Sequence, residues 1–318
     1  MIRKMMFRTR LLLALGVSGL LLIMTGCDRT ANEAGTFATP EEAIQAVADL
    51  IGSGDEGKTE KIFGPGSASL FQTGDENADR RNAGLAKEMI LTKVNFEDFD
   101  DKTKVVYIGE EAWPLPIPLV KTADGLRWRF DTAAGQEELL NRRIGRNELF
   151  TLASLRELVS AQEEYRAEGR DGNPPAYAQK FLSTEGRQDG LFWLSAEGVA
   201  LSPIGDLLAD AEDYSQAFHG YYYRMLTAQS QNAPGGEKTY LDEQGQLTGG
   251  FAVVAWPNKY GNSGVMTFQI NQLGIVFQKD LGADTETAAA AIQVFDPDKS
   301  WDPTSDSLGV EESTEAVD

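Results

Sequence analysis

Residues 137–165 read EELLNRRIGRNELFTLASLRELVSAQEEY, and this stretch decides the fold. Its apolar residues recur every three to four positions, which predicts one buried stripe along a helix, formed by Leu149, Leu152, Leu155 and Val159. Asn147 with Glu148 predicts the start of that helix, and Gly169 followed by Pro174 predicts its end. Before and after this helix the chain reads as two separate α+β units.

The first unit, predicted over residues 36–134, begins with helices and ends with strands. Thr39 and Pro40 open a helix as N-cap and first residue. Short strands follow, with a turn at Asp124-Gly125. Helices followed by an antiparallel meander predict an α+β roll, and this order resembles the cone-shaped nuclear transport factor 2-like and cystatin-like folds.

The second unit, predicted over residues 135–299, joins the long helix to an antiparallel sheet. Its clearest strand is Gly249–Trp256, where apolar residues occupy both faces, as in a strand buried on both sides. From residue 300 to residue 318 acids, Ser and Thr dominate, which predicts a disordered acidic tail.

The chain begins with a pattern typical of export. Basic residues precede the apolar run Leu11–Met24, so residues 1–26 are predicted to be a signal peptide. The run ends at Cys27, the single cysteine of the sequence, in an arrangement that resembles a bacterial lipobox. An ordinary secretory signal is the alternative. A lipid on Cys27 would bind the protein to a membrane facing the periplasm, with residues 27–35 as a tether, and Asp28 favours the inner membrane.

Composition excludes one class of partner. The 318 residues contain 29 Lys and Arg against 49 Asp and Glu, a formal charge of −20. Nucleic-acid binding needs clustered basic side chains for the phosphates, so no nucleic-acid partner is expected.

Several phrases are specific enough to indicate a family. They are WPLPIPLV at 113–120, NRRIGRNEL at 141–149, DGLFW at 189–193, HGYY at 219–222, GFAVVAWP at 250–257 and GNSGVMTF at 261–268. On these phrases the chain is identified as a member of the domain of unknown function 2950 family of bacterial exported proteins. The resemblance covers nearly all of the mature chain and implies no activity.

A second resemblance concerns form alone. Gln162 and Tyr165 on the long helix, then Tyr177-Ala178 and the final strands, are similar to the globular head of type IV pilins and pseudopilins. In pilins the helix continues backward as an apolar membrane segment. Here NRRIGR stands at that place, which opposes filament assembly.

His219 is the single histidine, so zinc sites built from two or three histidines are excluded. It could serve a Ser-His-Asp triad, although no Gly-X-Ser-X-Gly motif accompanies it. The alternative is a structural histidine at the entrance of a strand. Asp171-Gly172-Asn173 and Asp189-Gly190 could bind calcium but are also common turns. No metal and no cofactor is predicted.

Two further groups are candidates for recognition. The aromatic residues Tyr222, Trp256 and Tyr260, together with His219, form a candidate binding surface, although such rings also fill the cores of small sheets. The basic cluster Arg142, Arg143 and Arg146 could clamp a carboxylate or phosphate. The favoured reading is an interdomain set of ion pairs with acids such as Asp131.

These patterns favour a lipid-anchored envelope protein that binds another envelope protein or polymer and does not catalyse a reaction. The first alternative is an envelope hydrolase that uses His219 with a nearby carboxylate. The second is a pilin-like subunit of a pilus or secretion system.

Overall fold

The computed structural model describes residues 35–51, 53, 55–71, 76–169, 174–193, 202–204 and 217–305. These residues form two compact units. The first contains the chain up to Trp113 together with Leu119–Phe130, and the second contains Pro114–Pro118 together with the chain from Asp131 onward. Both combine helices with antiparallel sheets, so the protein is α+β.

The first unit places helices before strands. Its elements are α1 (Pro40–Leu50), α2 (Glu56–Phe63), a 3-10 turn (Ser67–Phe71), α3 (Glu76–Thr92), β1 (Val94–Asp98), β2 (Thr103–Ile108), β3 (Trp113–Pro114), β4 (Leu119–Lys121) and β5 (Trp128–Phe130). The strands lie in the order β1-β2-β4-β5, with β3 beside β2. Thr39 caps α1 by accepting a hydrogen bond from the Glu42 amide, as its sequence predicts. Phe63 of α2 packs on Phe130 of β5, so helices cover this face of the sheet.

The second unit is built on the long helix α4 (Thr132–Glu168). The remaining elements are β6 (Tyr221–Leu226), β7 (Ala228–Gln229), β8 (Lys238–Thr239), β9 (Ala252–Pro257), β10 (Met266–Asn271), β11 (Phe277–Asp280), α5 (Thr285–Ala291) and β12 (Asp302–Pro303). The main sheet has the order β12-β11-β10-β9-β6. Strand β9 is paired on both edges and its residues 252–255 are buried, in agreement with the apolar pattern of both faces.

The predicted start of the long helix is wrong. Asp131 caps it by accepting a hydrogen bond from the Ala134 amide at 3.3 Å, and the helix runs 37 residues without interruption. The predicted stripe is confirmed for Leu155, which is buried, and for Leu152 and Val159, which pack against the core, but Leu149 is 70% exposed. Three polar side chains, those of Thr151, Ser154 and Gln162, are buried on α4. After its first turn the helix also buries Leu155, Leu158, Ala161 and Tyr165.

Order continues past the predicted end of the second unit. Trp301 is buried, and Asp302–Pro303 pair with β11, so the first residues of the predicted disordered tail belong to the sheet. Burial of the Trp301 indole outweighs the polar composition around it. Residues 306–318, like the predicted signal peptide and Cys27, lie outside the described residues. None of the described helices has the length and apolarity needed to cross a bilayer.

Candidate functional site

One face of α4 holds the loop between β9 and β10. The Asn147 amide donates a hydrogen bond to the carbonyl oxygen of Ser263 at 2.9 Å. The Glu148 carboxylate accepts hydrogen bonds from the amides of Val265 and Met266 at 2.9 and 3.0 Å. A helix and a loop distant in sequence are therefore joined by polar side chains, and the loop is fixed where it enters β10.

His219 lies beside this junction in a turn with an unusual backbone. Its φ is +46°, which is uncommon for a residue with a side chain, and Gly220 follows with φ +82°. The imidazole lies 3.7 Å from the Phe150 ring, centroid to centroid, and 4.5 Å from the Phe218 ring. A Cβ on Gly220 would lie only 2.6 Å from the side-chain nitrogen of Asn147. The turn is thus packed against α4 with the histidine on its exposed side.

Tyr222 and Trp256 form a second aromatic pair. They lie directly opposite each other on β6 and β9, with ring centroids 5.7 Å apart. The Arg224 guanidinium lies 5.4 Å from the Trp256 ring. It also donates hydrogen bonds to the carbonyl oxygens of Ala289 at 2.8 Å and Ala290 at 3.3 Å, which are among the last acceptors of α5. This arginine thus satisfies the C-terminus of a helix.

The predicted aromatic surface is divided between two faces of the sheet. The Tyr223 hydroxyl bonds to the Thr151 hydroxyl of α4 at 3.2 Å, so Tyr223 points toward the helix. Because successive strand residues alternate, Tyr222 and its partner point to the opposite face. Tyr260 follows β9, and its hydroxyl donates to the Asp280 carboxylate at 3.2 Å, which raises the pKa of Tyr260. The four predicted residues therefore share one end of the sheet, with Tyr222 and Trp256 on the face away from α4 and the His219 ring packed against Phe150 of α4.

The predicted basic cluster makes contacts inside the second unit. Arg142 forms an ion pair with Glu138, one turn earlier on α4, at 2.8 Å. Arg143 donates to the Asn262 side-chain oxygen at 3.0 Å, which adds a further link to the loop. The Asp131 carboxylate is the N-cap of α4. Arg146 is exposed on the same helix.

The Asp189 turn uses its carboxylate for protein contacts. The carboxylate accepts from the Lys180 ammonium and the Thr184 amide, each at 2.7 Å, and from the Thr184 hydroxyl at 2.9 Å. Burial opposes its ionisation, but these hydrogen bonds outweigh burial and lower the pKa of Asp189 to about 2. Among the described residues no group of three or more His, Cys, Asp and Glu could hold a metal. Asp171–Asn173 lie outside the described part of the chain.

Sequence reasoning missed the side chains that bind the loop. Arg143, Asn147 and Phe150 are spaced by four and three positions, so a continuous helix places them on one face. Asn147 and Glu148 are also residue types that begin helices, so the same letters predict a helix start and hide this face. Their side chains instead bind the loop that precedes β10.

A family model described as protein of unknown function (DUF2950) matches residues 34–304. No curated protein and no solved structure matches the chain significantly.

Proposed function

The chain belongs to the DUF2950 family of proteins of unknown function, and we propose that it is a lipid-anchored, non-catalytic binding protein of the bacterial cell envelope. The anchor is supported by the apolar run Leu11–Met24 and by the single cysteine that follows it, Cys27. Multiple acyl chains at one end of the polypeptide give stable attachment to a bilayer.

The proposal of a binding role is carried by the way His219 is held. The His219 ring is packed against Phe150 at 3.7 Å and Phe218 at 4.5 Å, with its backbone in a left-handed turn. Aromatic packing of this kind makes the ring a fixed part of a surface.

The surroundings of His219 support this role. The loop beside it is held by Asn147 and Glu148. At Gly220 a larger residue would not fit, because its Cβ would lie 2.6 Å from the side-chain nitrogen of Asn147. A surface that is rigid before binding loses less conformational entropy when a partner docks. The partner would be another envelope protein or polymer, and the acidic surface opposes a nucleic acid.

The relationships of the two folds are also proposals. Three α-helices followed by an antiparallel sheet support a likeness of the first unit to nuclear transport factor 2-like proteins. A long helix on an antiparallel sheet supports a likeness of the second unit to pilin heads.

Co-sedimentation of the purified protein with envelope fragments tests the binding role. We expect His219→Ala to lower the bound fraction several-fold, because it removes the exposed ring of the rigid turn. Leu273→Ala, at a residue 51% exposed in the β10–β11 turn, is the matched control and should bind as the wild type does. Metabolic labelling with a fatty acid, with Cys27→Ser as control, tests the anchor.

Two results would refute the proposal. Equal sedimentation of the His219→Ala and Leu273→Ala proteins would show that the turn has no role in binding. Release of soluble fragments from the envelope material by the wild type, abolished in His219→Ala, would favour the hydrolase instead.

A further inference from the structure

A cavity of about 410 Å³ opens on the sheet of the first unit. Its volume is within the usual range for small-molecule sites, roughly 300–1,000 Å³. It is lined by one aromatic ring, two ammonium groups and three carboxylates, which belong to Trp128, Lys104, Lys121, Asp98, Asp100 and Asp101.

Strand register builds this cavity. Lys121 of β4 lies directly opposite Trp128 of β5, and Asp98 of β1 lies directly opposite Lys104 of β2. Opposite residues on paired strands share a face, and so do residues two apart on one strand. Trp128 is therefore on the same face as the buried Phe130, on which α2 packs. The cavity continues the core face of the sheet beyond the buried residues.

The charged groups of the cavity differ in their partners. Both ammonium nitrogens lie 5.5 Å from the centroid of the Trp128 ring. The Lys104 ammonium is also ion-paired with Asp98. No carboxylate of the described residues lies within ion-pair distance of Lys121. Its ammonium group makes a cation–π contact with Trp128 instead. A single cation–π contact between half-buried residues is weaker than an ion pair with good geometry, and the lysine side chain is long and flexible, so a ligand can displace it.

We infer that this cavity binds a saccharide, with one pyranose ring stacked on Trp128. Stacking needs a flat apolar face, which the C–H groups of a pyranose supply to an indole. The rim then requires a ligand group that can donate to Asp101 and accept from Lys121. A carboxylate only accepts and an ammonium only donates, whereas a hydroxyl does both.

Other ligand classes fit the same groups poorly. An amine or a lysine-rich peptide would meet two ammonium groups beside the ring. A phosphate or sulfate would meet three carboxylates, and like charges at close range disfavour binding. A neutral polyol with an apolar ring face avoids both conflicts. The inference goes beyond the proposed function, because this site lies in the first unit and requires neither the lipid nor His219.

Isothermal titration calorimetry of the detergent-solubilised full chain tests the inference. The probes are neutral tetrasaccharides of glucose, mannose, galactose and N-acetylglucosamine, with inorganic phosphate as the charged comparison. We expect saturable binding of at least one tetrasaccharide. Trp128→Ala should weaken it about tenfold or more, as the loss of a central aromatic contact does, and Trp128→Phe should weaken it less. Lys121→Met, which keeps the bulk of the side chain, should weaken it several-fold.

Matched controls are present in the same unit. Trp113→Ala removes an indole that is 43% exposed but does not line the cavity, and Lys102→Met removes a neighbouring exposed charge. Both should bind like the wild type. Circular dichroism of every variant separates loss of the site from loss of the fold, and Lys121→Met tests the site if Trp128→Ala does not fold.

Three outcomes would overturn the inference. They are the absence of saturable binding to every tetrasaccharide, equal affinities of Trp113→Ala and Trp128→Ala, and tighter binding of phosphate than of any saccharide. His219→Ala should keep the saccharide affinity of the wild type. If His219→Ala instead loses it while Trp128→Ala keeps it, the ligand binds the second unit and this assignment fails, whereas the proposed envelope binding stands.

Discussion

Two glycines of the same helix should respond in different ways to the same substitution. Gly135 is the fourth residue of α4, and a Cβ built there would be 2.5 Å from Cγ1 of Ile117, a side chain only 3% exposed. Gly145 lies further along the same helix, and a Cβ there would have no neighbouring atom within 4 Å. Ile117 belongs to the proline-containing segment 114–118, which is part of the second unit.

The magnitude follows from two opposing effects. Replacing glycine by alanine inside a helix stabilises it by about 1 kcal/mol, and both substitutions receive this gain. Inserting a methyl group into a filled core costs about 1–3 kcal/mol, and only Gly135→Ala incurs this cost. We therefore expect Gly145→Ala to raise the free energy of unfolding. Gly135→Ala should be less stable than Gly145→Ala by about 1–3 kcal/mol.

Guanidinium denaturation followed by circular dichroism measures this difference. Because the shared helical gain cancels, the difference between the two variants isolates the contact with Ile117. A double-mutant cycle with Ile117→Ala, which removes the two Cγ atoms nearest the added Cβ, sharpens the test. That change alone should cost about 2–5 kcal/mol, and in the Gly135→Ala background it should cost less, with a coupling of at least about 0.5 kcal/mol. Equal shifts for the two glycine variants, or strict additivity in the cycle, would refute the packing of segment 114–118 on α4.

Two other predictions concern the second unit. A Cβ on Gly264 would lie 2.1 Å from the hydroxyl oxygen of the fully buried Tyr221. Gly264→Ala should therefore lower the free energy of unfolding by about 3 kcal/mol. A decrease of less than about 1 kcal/mol in chemical denaturation would contradict this. The pKa of Asp189 is lowered to about 2, below its unfolded value near 3.9, so its stabilising contribution is complete above about pH 5 and is lost as pH falls toward 2. The stability difference between the wild type and Asp189→Asn should shrink over that range, and a difference independent of pH between 2 and 6 would show that the carboxylate is not paired.

The α+β class and the principal strands could be predicted from the sequence, because capping residues and apolar alternation act locally. The buried face of α4 could be predicted only in part: Leu152, Leu155 and Val159 face the core as expected, whereas its polar members were not expected. Its buried positions include Gln162, whose side chain exchanges hydrogen bonds with the backbone of Ala178 at 2.8 and 2.9 Å. A hydrophobic pattern predicts that a polar residue such as Gln162 is exposed, although its hydrogen bonds allow it to be buried. The same pattern predicts that Leu149 is buried, although it is 70% exposed.

Three of the phrases that identify the family, NRRIGRNEL, HGYY and GNSGVMTF, meet at one junction of the second unit, and packing explains their composition. In HGYY, a side chain at position 220 would collide with Asn147, so glycine is required there. In GNSGVMTF, a side chain at position 264 would collide with the ring of Tyr221. In NRRIGRNEL, Asn147 and Glu148 bind the loop that leads into β10. These residues therefore account for how the turn and the loop are held. Among the members of those phrases that face solvent, His219 has an aromatic ring fixed by its neighbours, and for that reason we place recognition there rather than at the buried residues around it.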